Sequence, residues 1–439
     1  MKKILILGAG LVCKPGAEYL LKQGYAVTVA SRTVARAEKI VKGYANGKAL
    51  HLLVEDHEAL EVLVRENDII VSLLPYIHHV RVARTCLKHG KPMATTSYVS
   101  EEMRALDEAV RSKNLLFLNE IGIDPGVDHM SAMRIIDAVH ARGGKVRHFY
   151  SFCGGLPAPE DNDNPLGYKF SWSPRGVVLA SRNPARFLEN GEIVNIPGKD
   201  LFLNKRIETV DPLGAFEVYP NRDSLPYQKI YGLKDALTVM RGTYRNIGWC
   251  DTFKKIVDLG LVDETPAAYP AGTTYKAMLA DLVGVDENGD LAAATARKLG
   301  LDKAHFVIDN LAWLGLFGAD PLPDCESKLD ILSQRLLDKL QYREGEKDML
   351  ILRHRFEVEN RDASTQTITS TLIDYGVPHG DSSMARTVSL PLAVGVSLMA
   401  QNKIDLTGVQ IPIKKELYQP VLDGIAALGI KMVEETSAH

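Results

Sequence analysis

Gly8-Ala9-Gly10-Leu11-Val12-Cys13 follows the apolar run Ile4-Leu5-Ile6-Leu7 and precedes a helical pattern, the setting in which glycines serve a dinucleotide. Gly8 permits a tight turn, Gly10 lets the backbone approach a pyrophosphate, and the free N–H groups of the following helix face its charge. Cys13 takes the third small position, where helix packs on strand. The next apolar run ends in Ala30-Ser31-Arg32-Thr33, with no acid to bind a ribose 2′-hydroxyl. A guanidinium between two hydroxyls suits a 2′-phosphate, so NADP is expected ahead of NAD; the plain alternative is a solvated Arg32 in a loop. Further polar turns are Ser72-Leu73-Leu74-Pro75-Tyr76, Thr95-Thr96-Ser97-Tyr98 and Asn119-Glu120-Ile121-Gly122-Ile123-Asp124-Pro125-Gly126. Each closes an apolar run, where an open α/β sheet binds its ligands. Asp124 before Pro125-Gly126 also has a purely structural reading as a turn former.

These turns need a scaffold. Strands are expected at 3–7, 26–30, 49–54, 68–73, 92–95 and 115–118, with helices at 15–22, 34–44, 56–65, 80–88 and 100–112 between them. That alternation predicts a parallel sheet covered by helices. After Gly143-Gly144 the rhythm changes: 146–153 alternates like a half-buried strand and runs into a stretch rich in Gly, Pro, Asn and Asp up to 176. From about 240 to 340 the period is helical. Phe306, Asn310, Trp313, Leu314 and Phe317 fall on one face there, and Leu329, Leu332, Leu336 and Leu340 on another. A hairpin is expected from 350–359 and 365–375, and a closing helix capped near Asp381-Ser382-Ser383 runs to Met399.

With 439 residues the chain exceeds one ordinary core, so two or three domains are expected. Fifty-two Lys and Arg are scattered among 55 Asp and Glu, which argues against a nucleic-acid partner. Cys13, Cys86, Cys153, Cys250 and Cys325 contain no C-x-x-C pair, so neither a disulfide framework nor a structural zinc is expected, no metal is assigned, and a reducing cytoplasm fits. The basic start and its apolar run break at Gly8, against a signal peptide. The stretch 388–400 contains Pro391 and is too short to span a bilayer, so no membrane segment is expected.

Asn119-Glu-Ile-Gly-Ile-Asp-Pro-Gly-Val-Asp-His129 and the segment from Cys153-Gly-Gly-Leu-Pro-Ala-Pro through Phe170-Ser-Trp-Ser173 resemble signature stretches of the saccharopine dehydrogenase (saccharopine reductase) family. Tyr219-Pro220-Asn221-Arg222-Asp223 and Arg241-Gly242-Thr243-Tyr244-Arg245 match two more, and the likeness runs from end to end. The resemblance implies an α/β fold class: a Rossmann-type doubly wound parallel sheet with a mixed α/β substrate domain and an all-α insertion. The implied domains are 1–128 completed by 390–439, 129–239 with 345–389, and 240–344. By the same resemblance the cofactor, NADP with NAD possible, contacts Gly8, Gly10, Leu11, Val12, Ser31, Arg32, Thr33, Leu53, Val54, Leu74, Thr96, Ser97, Ile123, Asp124 and Pro125. Substrate contacts are Ser97, Tyr98, Asp124, Arg222, Thr243, Tyr244 and Arg245. Cys13 and Tyr244, the latter where a leucine is usual, depart from the family pattern. A cytoplasmic homodimer is the accompanying expectation.

The implied reaction, in lysine metabolism, interconverts saccharopine with glutamate and α-aminoadipate semialdehyde. A secondary amine bearing three carboxylates needs fixed cations, for which Arg222, Arg241 and Arg245 supply paired donors and Lys169 a point charge. Asp124, Cys153 and Tyr98 are the catalytic candidates: Asp124 to orient the amine or water, Cys153 as an auxiliary acid–base or, equally, an inert buried thiol. Two alternatives remain open. A carboxynorspermidine-type dehydrogenase would replace those arginines with acids, and a non-catalytic NADP-binding regulator would have no need of the 153–173 loop.

Overall fold

Ile4, Leu5, Ile6 and Leu7 are all at most 2% exposed, because a central parallel strand is covered on both faces and so reads as a continuous apolar run. In this computed structural model, which describes residues 1–172, 174–267 and 269–438, they form β1 (Lys3–Leu7). Ser173, the last residue of the 153–173 stretch, lies outside the described residues, as do Ala268 and His439. The chain divides into two compact units, 1–145 with 358–439, and 146–357.

In the first unit, β1 is followed by α1 (Lys14–Lys22), β2 (Ala26–Ser31), α2 (Val34–Val41), β3 (Gly47–His51), α3 (His57–Glu66), β4 (Ile69–Ser72), α4 (His79–His89), β5 (Met93–Thr95) and β6 (Leu116–Leu118). The expected helix over 100–112 is two short helices, Glu101–Arg104 and Asp107–Ser112. The strand Gly408–Gln410 adds to β6, giving the order Gly408–Gln410, β6, β5, β4, β1, β2, β3 with every pair parallel. The direction of winding reverses between β1 and β4, so a crevice opens beyond their carboxyl ends. One face is packed with Leu5, Leu7, Leu60, Val82, Cys86 and Phe117.

Helix Ser383–Ala400 packs against α1 so closely that a Cβ on Gly16 would lie 2.7 Å from Ser389 O, and Gly16 N–H donates to Ser389 Oγ at 3.0 Å. Ser382 caps that helix by accepting from Ala385 N–H. It is long and apolar enough to cross a membrane by length and composition, but 72% of it is buried as a core helix. Asn360 N–H donates to Ser364 O in the expected hairpin turn. The strand Thr365–Tyr375 pairs antiparallel with Val433–Ala438.

The second unit is built on a mixed sheet of β7 (Lys145–Pro157), β8 (Ala185–Glu189), β9 (Glu192–Ile196), β10 (Arg206–Val210), β11 (Gly214–Pro220), β12 (Thr238–Arg245) and β13 (Asp348–Glu359). Its order is β10-β11-β12-β7-β13, with β12 parallel to β7 and antiparallel to β11. Because β12 continues to Arg245, the helical run starts at Trp249 and not at 240. Leu329, Leu332, Leu336 and Leu340 are buried as their spacing predicts. Phe306 departs from its predicted face: it is 42% exposed and stacks on His305 at 4.7 Å.

Candidate active site

All the residues assigned to a dinucleotide in the first unit lie at the carboxyl ends of its strands. Gly8 has φ +108°, and a Cβ there would meet Leu73 O, after β4, at 2.7 Å. Gly10 has nothing within 4 Å of where a Cβ would stand, and Leu11 is exposed. Thr33 N–H donates to Ser31 Oγ at 3.2 Å and shapes the turn around the exposed Arg32, which makes no ion pair among the described residues. Leu53, half-exposed, and the buried Val54 follow β3; Leu74 follows β4; Thr96 and Ser97 follow β5. An open turn at a helix N-terminus with a free guanidinium after the second strand fits NADP. Burial pushes the Cys13 thiol up to about 12, so Cys13 is a packing residue here.

The turn carrying Asp124 is held from behind. Tyr98 donates its hydroxyl to Asp124 Oδ1 at 3.0 Å. Gly126 has φ +147°, and a Cβ on it would lie 2.1 Å from Gly122 O, so only glycine fits. Its N–H donates to Asp128 Oδ1 at 2.6 Å. Glu120, left-handed at φ 56°, accepts from Val99 N–H at 2.9 Å through Oε1 and lies 2.8 Å from His129 Nε2 through Oε2. The other nitrogen of His129 is 3.7 Å from Asp128 Oδ2. Glu120, Asp128 and His129 are all buried, so these bonds fix the turn that carries Asp124 and tie it to the turn that carries Tyr98.

In the second unit, Cys153 on β7 is in register with Thr243 on β12, and Ser151 with Arg241. Side chains alternate along a strand, so Arg241, Thr243 and Arg245 share one face. Tyr244 points to the other, where its ring packs edge-on against Phe152 and Phe216 at 5.9 Å. Arg245 is 4% exposed and has no carboxylate within 4 Å among the described residues. Its guanidinium lies over the rings of Tyr168 (4.9 Å) and Trp249 (5.3 Å) and donates to Tyr244 O at 2.8 Å. Arg245 Nε and Trp249 Nε1 are buried donors without an acceptor among the described residues. Arg222 sits exposed with φ 55° in the turn after β11, its carbonyl accepting from Arg186 N–H at 2.9 Å.

Two family models match the chain. The saccharopine dehydrogenase NADP binding domain covers 4–118, and the saccharopine dehydrogenase C-terminal domain covers 122–430. The chain belongs to the saccharopine dehydrogenase family. It is 43% identical over 99% of both chains to the saccharopine dehydrogenase [NADP(+), L-glutamate-forming] of Schizosaccharomyces pombe, and 38% identical over 100% of both to that of Saccharomyces cerevisiae. The solved apo saccharopine dehydrogenase (L-Glu forming) of S. cerevisiae superposes with a TM-score of 0.92 at 37% identity, covering 100% of each chain.

Within this saccharopine dehydrogenase family frame, some expected residues fall together and others do not. Asp124, Tyr98 and Ser97 share one cluster of turns in the first unit; Cys153, Thr243, Arg241 and Arg245 share one sheet face in the second. Tyr244 contributes only main chain to that face. Lys169 is a correction: it is buried between Asp163 Oδ1 and Glu346 Oε2, each at 2.8 Å, so its charge is already balanced and is not free for a ligand. Glu120, Asp128 and His129 were missed as supports, although the matched stretch 119–129 contains all three. The signal was the pattern of acid, glycine turn, acid and histidine in an otherwise apolar setting.

Proposed function

We propose that the protein catalyses the NADP-linked reaction L-saccharopine + NADP⁺ + H₂O ⇌ L-glutamate + L-2-aminoadipate 6-semialdehyde + NADPH + H⁺. The observation that carries this reading is Arg245, a buried guanidinium with no protein carboxylate among the described residues to balance it. A buried charge left unpaired is costly, and a buried donor without an acceptor costs about 1–3 kcal/mol, so the face is built for an anionic guest. A substrate with three carboxylates supplies one, and Arg222 and Arg241 serve the others.

Gly8–Val12, Ser31, Arg32 and Thr33 would hold NADP, which would supply the hydride acceptor. Asp124, fixed by Tyr98, orients the secondary amine and takes its proton. Water then adds to the substrate imine, and the adduct collapses to aldehyde and amine; Cys153 is the auxiliary group for those proton transfers. The test is direct: saccharopine as sole substrate, with NADPH and NADH formation followed in parallel. NADPH formation with release of glutamate is expected, and its absence overturns the reading.

The same proposal extends to a homodimer in a reducing cytoplasm. Five free cysteines support the compartment, and the exposed Ile193, Leu203 and Ile207 of the second unit support the dimer. Light scattering that returns a monomer mass at micromolar concentration removes the dimer.

A further inference from the structure

His79, the first residue of α4 and 5% exposed, takes no part in the chemistry above. Its Nδ1 is 2.8 Å from Ser72 Oγ, and its Nε2 is 2.8 Å from Ser97 Oγ and 3.4 Å from Thr95 Oγ1. Ser72 and Thr95 are the last residues of β4 and β5 and register partners across them. One imidazole therefore ties two strand ends to Ser97, two residues beyond the end of β5. Ser97 is held at its other polar groups as well: its N–H donates to Thr95 Oγ1 at 3.4 Å, and its carbonyl accepts from Glu120 N–H at 3.2 Å.

We propose that His79 is a positioning residue for Ser97, locking the hydroxyl in one rotamer at the carboxyl edge of the sheet so that it meets the ligand already oriented. A free serine hydroxyl samples three staggered wells, and a bond from a rigid ring removes that freedom before binding. Burial lowers the His79 pKa from 6.5 to about 4, so the ring is neutral at pH 7 and one nitrogen donates while the other accepts. It acts through directed hydrogen bonds and not through charge. The inference rests on the reading of Ser97 as a ligand contact.

The experiment uses the whole enzyme with saccharopine and NADP and compares Ser97→Ala, His79→Asn, His79→Gln and the double variant that combines His79→Asn with Ser97→Ala. Asparagine places its amide near the position of Nδ1 and keeps the Ser72 bond; glutamine reaches toward that of Nε2 and Ser97. Ser97→Ala and His79→Asn should each lower kcat/KM about tenfold, the worth of one net hydrogen bond, and the double variant should lose no more than either. His79→Gln should recover several-fold over His79→Asn with a comparable melting temperature. A wild-type rate in His79→Asn beside an impaired Ser97→Ala overturns the positioning role. Losses that multiply in the double variant, or equal losses in His79→Asn and His79→Gln that track melting temperature, make His79 a fold residue and overturn it too. Wild-type kinetics in Ser97→Ala would show instead that the reading of Ser97 fails, and the inference falls with it.

Discussion

The hydroxyl of Tyr98 lies 3.0 Å from Asp124 Oδ1 and donates to it, joining the turn after β5 to the turn after β6. A carboxylate held this way is aimed. Asp124→Asn should lower kcat by about 10²–10⁴-fold and remove or shift one limb of the pH–rate profile. Tyr98→Phe should cost less, and the double variant less than the product of the singles, since the two act as a unit. A folded Asp124→Asn enzyme with wild-type kcat and pH profile leaves the residue only its turn-forming role.

Arg32 is expected to set the cofactor preference. The side chain is exposed and makes no ion pair among the described residues, so replacing it disturbs little else in the first unit. Arg32→Asp should shift the NADP/NAD ratio of kcat/KM toward NAD by roughly 10- to 100-fold, the worth of one charge-assisted bond plus the new repulsion. An unchanged ratio assigns the 2′-phosphate to another group.

Arg245 and Lys169 are both buried cations that differ in pairing: Lys169 bridges Asp163 and Glu346, whereas Arg245 has no carboxylate within 4 Å among the described residues. Arg245→Met and Arg222→Met should raise KM for saccharopine roughly 10- to 100-fold with the NADPH dissociation constant nearly unchanged. Lys169→Met leaves Asp163 and Glu346, whose side chain is 8% exposed, with the exposed Arg343 as their one shared cation among the described residues. It should cost about 2 kcal/mol of stability, less than the ~3–5 of a fully buried pair because Arg343 remains and Asp163 is 40% exposed. Denaturation midpoints and steady-state kinetics on the same preparations check both; a KM effect from Lys169→Met without loss of stability contradicts the assignment.

The depressed pKa of His79 gives stability a definite pH dependence. Above pH 6.5 the imidazole is neutral in folded and unfolded chains alike. Between 6.5 and about 4 the unfolded chain takes up a proton that the folded one refuses, so stability falls as pH falls. At about 1.4 kcal/mol per unit the full loss is roughly 3 kcal/mol. From pH 7 to 4.5, wild type should therefore lose more stability than His79→Asn, and equal slopes would remove His79 as the cause.

The parallel sheet and its glycine turn were legible because continuous apolar runs, glycines and helix starts are local signals, and β1 falls where its residues place it. The facing of Tyr244 was missed in naming it beside Thr243 and Arg245 as a substrate contact, although strand alternation alone puts its ring on the other side. The pairing of Lys169 was not legible, because of its two partners Glu346 lies 177 residues away and the nearby Asp163 stands in an irregular loop, where spacing does not announce a pair. The Glu120–His129 support needed the turn between them to be known in space. His79 needed the ends of β4 and β5 side by side.

The strand Gly408–Gln410 completes the first unit from the far end of the chain. During synthesis, β6 emerges and then waits while residues 146–357 are made. At about 5–20 residues per second that is on the order of tens of seconds with its outer edge unpaired. The second unit, contiguous in sequence, can collapse in that interval, whereas the nucleotide-binding unit cannot finish its sheet until the ribosome has passed Gln410. A nascent chain stalled before that point carries an open strand edge, which is a template for aggregation and a natural target for chaperones. The order in which the two units mature is thus written into the path of the backbone, with the inserted unit first and the unit that begins the chain last.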